Sequence, residues 1–297
     1  METVAPIGGP GVRACLAWIG NPGASGEEPR GQWGQPSELS VPLDDRGLSL
    51  ADGLFETLLV ARGRPWLLAE HLRRWRQGAN LLGLPDPPKE DLLAPLIGEA
   101  IRRGGFRSGA LRLTWSRGGG GRGLDLPEPS DPPLHPRFWL RLSPWRPTFA
   151  AARVMVSPSE RRHPASLTSR CKTLAYGWAV QARRQARAAG ADDALVLNTS
   201  GELCCGTTAN LLLRVGGVWL TPPTASGCLP GVMRARALAL DLAREAPLVP
   251  ECLERAEAGL LLNSLDCRPL NLREGPHPEE AMNEARQFWR RCVGLAP

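Results

Sequence analysis

The sequence predicts a mixed α/β (α+β) fold in two domains, with antiparallel strands in the second. Three observations carry that expectation. A chain of 297 residues exceeds what one small core needs, so two subdomains are expected. Apolar runs of strand length, closed by glycine and proline turns, alternate with segments of helical period. Near the middle, Pro144-Trp145-Arg146-Pro147 interrupts the pattern as a linker would, which places the domains at 1–145 and 146–297.

Residues 13–19 read as a strand, followed by a Gly/Pro-rich insertion over 20–36 that is expected to be flexible. From Leu39 a short strand leads into Asp44-Asp45-Arg46-Gly47. Leu54–Ala61 continues as a strand, Arg62-Gly63 turns the chain and Pro65–Leu68 returns, so a hairpin is expected. Leu72, Trp75, Ala79 and Leu82 then recur at helical spacing up to Gly83, and a second helix covers Glu90–Arg103. Strands at Ala110–Trp115 and Arg137–Leu142 flank a long glycine- and proline-rich loop.

Beyond the linker a strand at Arg153–Ser157 precedes a loop with His163 and Pro164. The alanine-rich segment Thr173–Ala189 reads as a helix closed by Gly190. Ala194–Asn198, Glu202–Cys205, Asn210–Val215 and Val218–Thr221 read as an antiparallel sheet, with Gly216-Gly217 as a tight turn. Ser226–Gly231 then introduces a helix from Val232 to about Glu245.

Composition narrows the function. No apolar run approaches the roughly 20 residues that cross a bilayer, and the N-terminus lacks a signal-like pattern, so a cytoplasmic protein without a membrane partner is expected. The net charge of +6 raises nucleic acid as a partner, but the arginines are scattered among acidic residues. An affinity for anionic small molecules explains that pattern better, and no nucleic-acid partner is expected. Eight cysteines without C-x-x-C spacing or a histidine cluster argue against zinc and against a disulfide scaffold.

Lysine usage singles out one residue. Lysine and arginine total 36, and lysine stands only at Lys89 and Lys172, so 36 − 2 leaves 34 arginines. Lysine can lose its proton and form an imine, which guanidinium cannot. Lys89, between Pro88 and Glu90, suits a solvated helix start, which leaves Lys172 as the candidate catalytic amine, with a surface lysine spared by chance as the alternative. Gly231-Val232-Met233-Arg234 is a glycine before a helix start, where backbone N–H groups and the positive dipole end converge as at phosphate sites. An ordinary loop-to-helix turn is its alternative. Ser116-Arg117-Gly118-Gly119-Gly120-Gly121-Arg122-Gly123 contains G-x-G-x-x-G, but five prolines in Leu124–Pro136 exclude the helix a Rossmann turn would open. Arg117 and Arg122 suit carboxylate recognition instead, with a solvated loop as the alternative. His71 reads as structural.

Several segments occur together in a telling order. They are Asp45-Arg46-Gly47 through Asp52-Gly53-Leu54-Phe55-Glu56-Thr57, Glu70-His71-x-x-Arg74, Lys172-Thr173-Leu174-x-Tyr176, Gly206-Thr207-Thr208-Ala209-Asn210, Thr221-Pro222-Pro223 and Leu229-Pro230-Gly231-Val232-Met233-Arg234. Together they resemble the class IV aminotransferases, the fold-type IV pyridoxal-phosphate enzymes, and the glycine loop resembles that of 4-amino-4-deoxychorismate lyase. The resemblance implies a small N-terminal and a larger C-terminal domain, a homodimer, and pyridoxal 5'-phosphate on Lys172. It further implies Arg74 and the amides of Val232 and Met233 at the phosphate, Ser264 near a second phosphate-contacting segment, and Tyr176 near the cofactor's phenolic oxygen.

One position departs from the family's G-x-V-x-E-x-x-x-x-N pattern: Cys205 stands where a glutamate pairs with the pyridine nitrogen. Glu202, three residues earlier, would face the other side of a regular strand. The expected small-molecule substrate is 4-amino-4-deoxychorismate, with Arg117 and Arg122 at its carboxylates. A transaminase for D- or branched-chain amino acids is the alternative, and a non-enzymatic nucleic-acid-binding protein a distant one.

Overall fold

A computed structural model describes residues 15–23, 27–119, 123–126, 134–272 and 275–294. They divide into two compact units. One joins the described residues up to Leu72 to Leu84–Arg146; the other joins Arg73–Gly83 to the described residues from Pro147 onward. Set beside the division expected at 145/146, Arg146 falls with the first unit and most of one helix with the second. Bonds within that unit show why: Arg74 Nη1 donates to the Pro230 carbonyl at 3.3 Å, and the Cys171 thiol lies 3.9 Å from the Gly78 carbonyl oxygen.

In the first unit the described strands are β1 (Leu16–Asn21), β2 (Arg30–Gly34), β3 (Gly53–Ala61), β4 (Arg64–Pro65), β5 (Ser108–Ser116) and β6 (Arg137–Pro144). They pair antiparallel in the order β2-β1-β6-β5-β3-β4. A short helix, α1 (Arg46–Ser49), precedes β3; α2 (Leu68–Leu81) and α3 (Glu90–Gly104) follow β4. The hairpin at Arg62-Gly63 forms with both residues at positive φ, 53° and 73°, as the right-handed twist of paired strands favours. The strand expected after Leu39 is absent among the described residues, where Asp45 caps α1 by accepting from the Leu48 amide at 3.2 Å.

The expected flexible insertion over 20–36 carries β2. Its glycines serve close contact: a Cβ on Gly31 would stand 2.3 Å from the Trp18 ring, and one on Gly20 would stand 2.3 Å from the Arg30 carbonyl oxygen. Trp18 is buried and packs at 5.8 Å from Phe138, so the glycines make room for an indole in the core. Leu58, Leu111, Leu113 and Leu140 continue that core.

The second unit is built on β7 (Val154–Arg162), β8 (Asp193–Asn198), β9 (Leu203–Gly206), β10 (Asn210–Val215), β11 (Val218–Thr221), β12 (Arg244–Glu245), β13 (Ala258–Leu262) and β14 (Cys267–Pro269). The path β12-β11-β10-β9-β8-β7 is antiparallel through β11-β10-β9-β8 and parallel at β7–β8 and β11–β12, while β13 pairs with β10 and β14. Gly216-Gly217 turns β10 into β11 at φ 58° and 76°. The described helices here are α4 (Gly177–Ala188), α5 (Val232–Ala239), α6 (Cys252–Arg255) and α7 (Pro278–Val293).

Both expected helices of this unit shorten. α4 starts at Gly177 instead of Thr173, because the Tyr176 amide turns back to the Leu174 carbonyl at 2.9 Å and keeps Lys172–Tyr176 out of the helix. Alanine propensity is a weak prior that such local constraint overrides. α5 ends at Ala239 instead of Glu245. Asp241 takes φ 52° and the chain turns back so that β12 pairs parallel to β11, where buried Arg234 bonds both Glu245 and the Pro222 carbonyl.

Candidate active site

The second unit gathers most of the expected site residues, and each arrives for a local reason. Lys172 follows buried Cys171, and its Nζ donates to the Tyr176 hydroxyl at 3.1 Å. Arg162, at the end of β7, holds this segment: it donates to the Ser169 carbonyl at 3.1 Å and the Gly227 carbonyl at 3.4 Å. Its guanidinium also lies 4.6 Å from the Trp178 ring centre, and Trp178 packs beside Tyr176. Nothing in the sequence marks Arg162 among so many arginines.

The amides of Val232 and Met233 open α5. Gly231 is its N-cap and supplies no capping side chain, so the first-turn amides keep the donor character of a helix start. Arg74 donates to Pro230 one residue before that cap, which brings its guanidinium to the same turn. Arg73, its neighbour on α2, is exposed.

Ser264 lies in the loop after β13. Asn263 shapes that loop, its side-chain oxygen accepting from the Leu265 amide at 2.8 Å and the Asp266 amide at 2.9 Å. Trp289 of α7 donates to the Asn263 carbonyl at 3.1 Å, and the Asn263 amide group donates to the Thr208 carbonyl at 3.4 Å. The 263–266 loop is therefore tied to the turn between β9 and β10.

Cys205 lies on β9, buried in a cluster with Cys204 and Cys228 against Trp178. A hydrogen bond between the neighbouring thiols pushes Cys204 above the ordinary thiol range, with burial adding to it, and holds Cys205 below that range. Burial pushes Cys228 up to about 12. The expectation that Glu202 faces away because its strand is regular is corrected. β9 carries a bulge, Val196 pairing with Cys205 while Leu197 pairs with Leu203, which breaks the simple alternation of faces. What engages Glu202 is its own bonding: Oε2 accepts from Asn198 at 2.8 Å and from the Ser226 hydroxyl at 2.9 Å.

The turn after β9 is held by a buried network. Thr207 donates its hydroxyl to Asp193 at 2.6 Å, and Arg183 of α4 pairs with the same carboxylate at 2.8 Å. These residues carry no signal in the sequence beyond the Gly206–Asn210 motif.

Of the two arginines expected at substrate carboxylates, one is described. Arg122 lies outside the described residues. Arg117 belongs to the first unit, is 7% exposed, and bonds Asp52 at 2.7 Å. Arg46 shares Asp52 at 3.0 Å and donates to the carbonyls of Gly123, Leu124 and Asp125. These arginines anchor the ends of the glycine loop.

In sum of chemistry, the second unit offers an amine for an aldehyde, and a helix start with a guanidinium for a phosphate. A cradle at Gly231, where a Cβ would stand 1.9 Å from the Asn210 side-chain oxygen, completes that turn. Pyridoxal 5'-phosphate fits the chemistry of this set, in which Lys172 and Tyr176 could take an aldehyde and Arg74, Val232 and Met233 a phosphate.

Comparison with known proteins agrees. Residues 53–271 match the family model "Amino-transferase class IV". Over 237 residues the chain is 30% identical to the "Putative branched-chain-amino-acid aminotransferase" of Methanocaldococcus jannaschii, spanning 79% of this chain and 78% of that protein. Over 208 residues it is 29% identical to the "Bifunctional aminodeoxychorismate lyase / D-amino acid transaminase" of Mycobacterium tuberculosis, spanning 64% and 68%. A Legionella pneumophila structure described as a "Putative 4-amino-4-deoxychorismate lyase" superimposes with a TM-score of 0.74 at 28% identity, over 84% of this chain and 96% of that one. With the match running from β3 past β14, this chain belongs to the class IV aminotransferase family, enzymes of fold type IV whose cofactor is pyridoxal 5'-phosphate.

Proposed function

We propose that this enzyme is a lyase that cleaves 4-amino-4-deoxychorismate to 4-aminobenzoate and pyruvate. The observation that carries the reading is Cys205, a thiol packed with Cys204 and Cys228 at the position where the family pattern has glutamate. Bound pyridoxal 5'-phosphate supplies an electron sink, and a carboxylate partner on its ring nitrogen strengthens that sink. A thiol gives weaker support. Transamination needs a long-lived carbanion, whereas an elimination that leaves an aromatic ring has its own driving force.

In this reading Lys172 would hold the cofactor through its amine, and the substrate amine would take its place. The Lys172 amine would take the proton from the amine-bearing carbon, and the side chain would leave the neighbouring carbon with the C–O bonding pair as enolpyruvate, which takes up a proton to become pyruvate. Tyr176, 3.1 Å from Nζ, holds the amine in position. Arg74, Val232, Met233 and Ser264 hold the phosphate. With Arg117 bound to Asp52, the carboxylate role in the glycine loop falls to Arg122. The Mycobacterium tuberculosis and Legionella pneumophila relatives support the reading by their names. A cytoplasmic homodimer belongs to the same proposal; no helix among the described residues is long and apolar enough to cross a membrane.

Transamination of D- or branched-chain amino acids is the second reading, favoured by the Methanocaldococcus jannaschii relative. Incubation with aminodeoxychorismate and, separately, with pairs of amino and keto acids decides between them. The lyase reading expects 4-aminobenzoate in the first assay. A new amino acid in the second, with no 4-aminobenzoate in the first, overturns it.

A further inference from the structure

We infer that Asn210 is a positioning residue that shapes the phosphate grip of this enzyme, and that Gly231 is glycine because of it. The inference rests on the assignment of the start of α5 to the cofactor phosphate. Asn210 opens β10 and is 6% exposed. Its backbone pairs with Cys205 of β9 on one side and with Leu262 of β13 on the other, so it stands where the strands leading to three site segments meet. Its side chain reaches the third: Nδ2 donates to the Leu229 carbonyl at 2.9 Å.

The carbonyls of the Leu229–Gly231 turn are each bonded within the protein. Leu229 accepts from Asn210 and from the Gly231 amide, at 2.9 and 2.8 Å, Pro230 accepts from Arg74, and Gly231 accepts from the Ala235 amide at 2.9 Å. The first-turn amides of α5 have no earlier helical carbonyl to bond, so they are the groups the turn offers an anion. Asn210 and Arg74 thus hold adjacent carbonyls and fix the turn from two directions.

Gly231 has φ −66° and ψ 139°, a conformation any residue adopts. Backbone freedom therefore does not explain the glycine. The Asn210 oxygen does, because an added Cβ would stand 1.9 Å from it. Asparagine and glycine act as a pair: the carboxamide lies over the glycine while its nitrogen holds the preceding carbonyl.

The test compares affinities for pyridoxal 5'-phosphate and for pyridoxal, which lacks the phosphate, alongside melting temperature. Asn210→Ala leaves the Leu229 carbonyl short of a donor, and we expect about a 10-fold loss for the phosphorylated form with little change for pyridoxal. Gly231→Ala is expected to cause a similar loss in the wild-type background and much less in Asn210→Ala, where the clashing oxygen is gone. Should Asn210→Ala fail to fold, Asn210→Asp keeps the volume, removes the donor and places a carboxylate by the phosphate, so a larger phosphate-specific loss is expected. Equal losses for both ligands, or a Gly231→Ala effect independent of residue 210, overturn the inference. A wild-type protein that does not prefer the phosphorylated ligand would instead overturn the assignment of α5 on which it rests.

Discussion

In the first unit Arg46 and Arg117 are buried and share the Asp52 carboxylate, and Arg46 also bonds three carbonyls after the glycine loop. In the second, half-buried Arg74 bonds the neutral Pro230 carbonyl beside a helix start with a glycine cap. The same side chain thus serves two purposes. A guanidinium matched with a carboxylate has its charge answered inside the protein, and its value is structural. A guanidinium at a helix start, beside backbone amides, adds to the positive potential that an incoming anion meets. Arginine content alone says nothing about which applies; the neighbours decide.

The largest expected effect tests whether the second unit holds the chemistry at all. Lys172→Ala should lower turnover by roughly three orders of magnitude or more, because it removes both the covalent anchor and the group that moves the proton. Wild-type protein loaded with pyridoxal 5'-phosphate should be yellow, with visible absorbance that borohydride removes, and the variant should lack that band. Colourless wild-type protein after loading would break the assignment of Lys172.

Next comes the structural side of the comparison. Asp52→Ala leaves two buried guanidinium groups facing each other, and breaking such a buried pair typically costs about 3–5 kcal/mol. Urea unfolding should show that loss. Asp52→Ala should leave the spectrum of bound cofactor unchanged, and a changed spectrum at full stability would erase the contrast between the two arginine sites.

Arg74→Ala should weaken cofactor retention by about 10- to 150-fold, the equivalent of roughly 1.5–3 kcal/mol for a charge-assisted hydrogen bond. Exposed Arg73→Ala should do much less. Equal losses in a direct titration with pyridoxal 5'-phosphate would contradict the placement of Arg74.

How far all this was legible in the sequence depended on whether a signal was local. The β8–β11 meander, α3 and the hairpin at Arg62-Gly63 follow from alternation, period and turn glycines. α7 is equally legible: Pro278 at its start, Glu279 and Glu280 in the first turn, Arg290 and Arg291 in the last and Gly294 at φ 83° are the standard helix signals. β2 was obscured because Gly31 answers to Trp18 on the neighbouring strand, a contact that sequence spacing does not reveal. In the site, Lys172 stood out by rarity and α5 by its glycine. Arg117's partner was hidden, because the Asp52 that binds it lies 65 positions away. Arg162, Asp193 and Thr207 act through partners equally hidden in the linear chain.

The smallest expected effect concerns Cys205, and it sharpens what the second unit's charge pattern is for. If the thiol keeps the ring nitrogen poorly supported, restoring a carboxylate should favour the reaction that needs a long-lived carbanion. Cys205→Glu should therefore raise transamination relative to elimination, by several-fold rather than by orders of magnitude, since Arg162 remains close to the thiol cluster. Glutamate is also larger than cysteine in a packed site, so Cys205→Gln is the control that matches its volume without its charge. The wild type adds a test by pH. The hydrogen bond from Cys204 holds the Cys205 thiol below its ordinary range, so raising the pH through that ionisation puts a negative charge where the family has one. The transaminase-to-lyase ratio of the wild type should rise with pH through that window and fall again as the thiolate is protonated, while Cys205→Gln should stay flat. A ratio that is the same in Cys205→Glu and Cys205→Gln, with cofactor bound in both, would show that residue 205 does not tune the reaction and would remove the main support for a lyase over a transaminase.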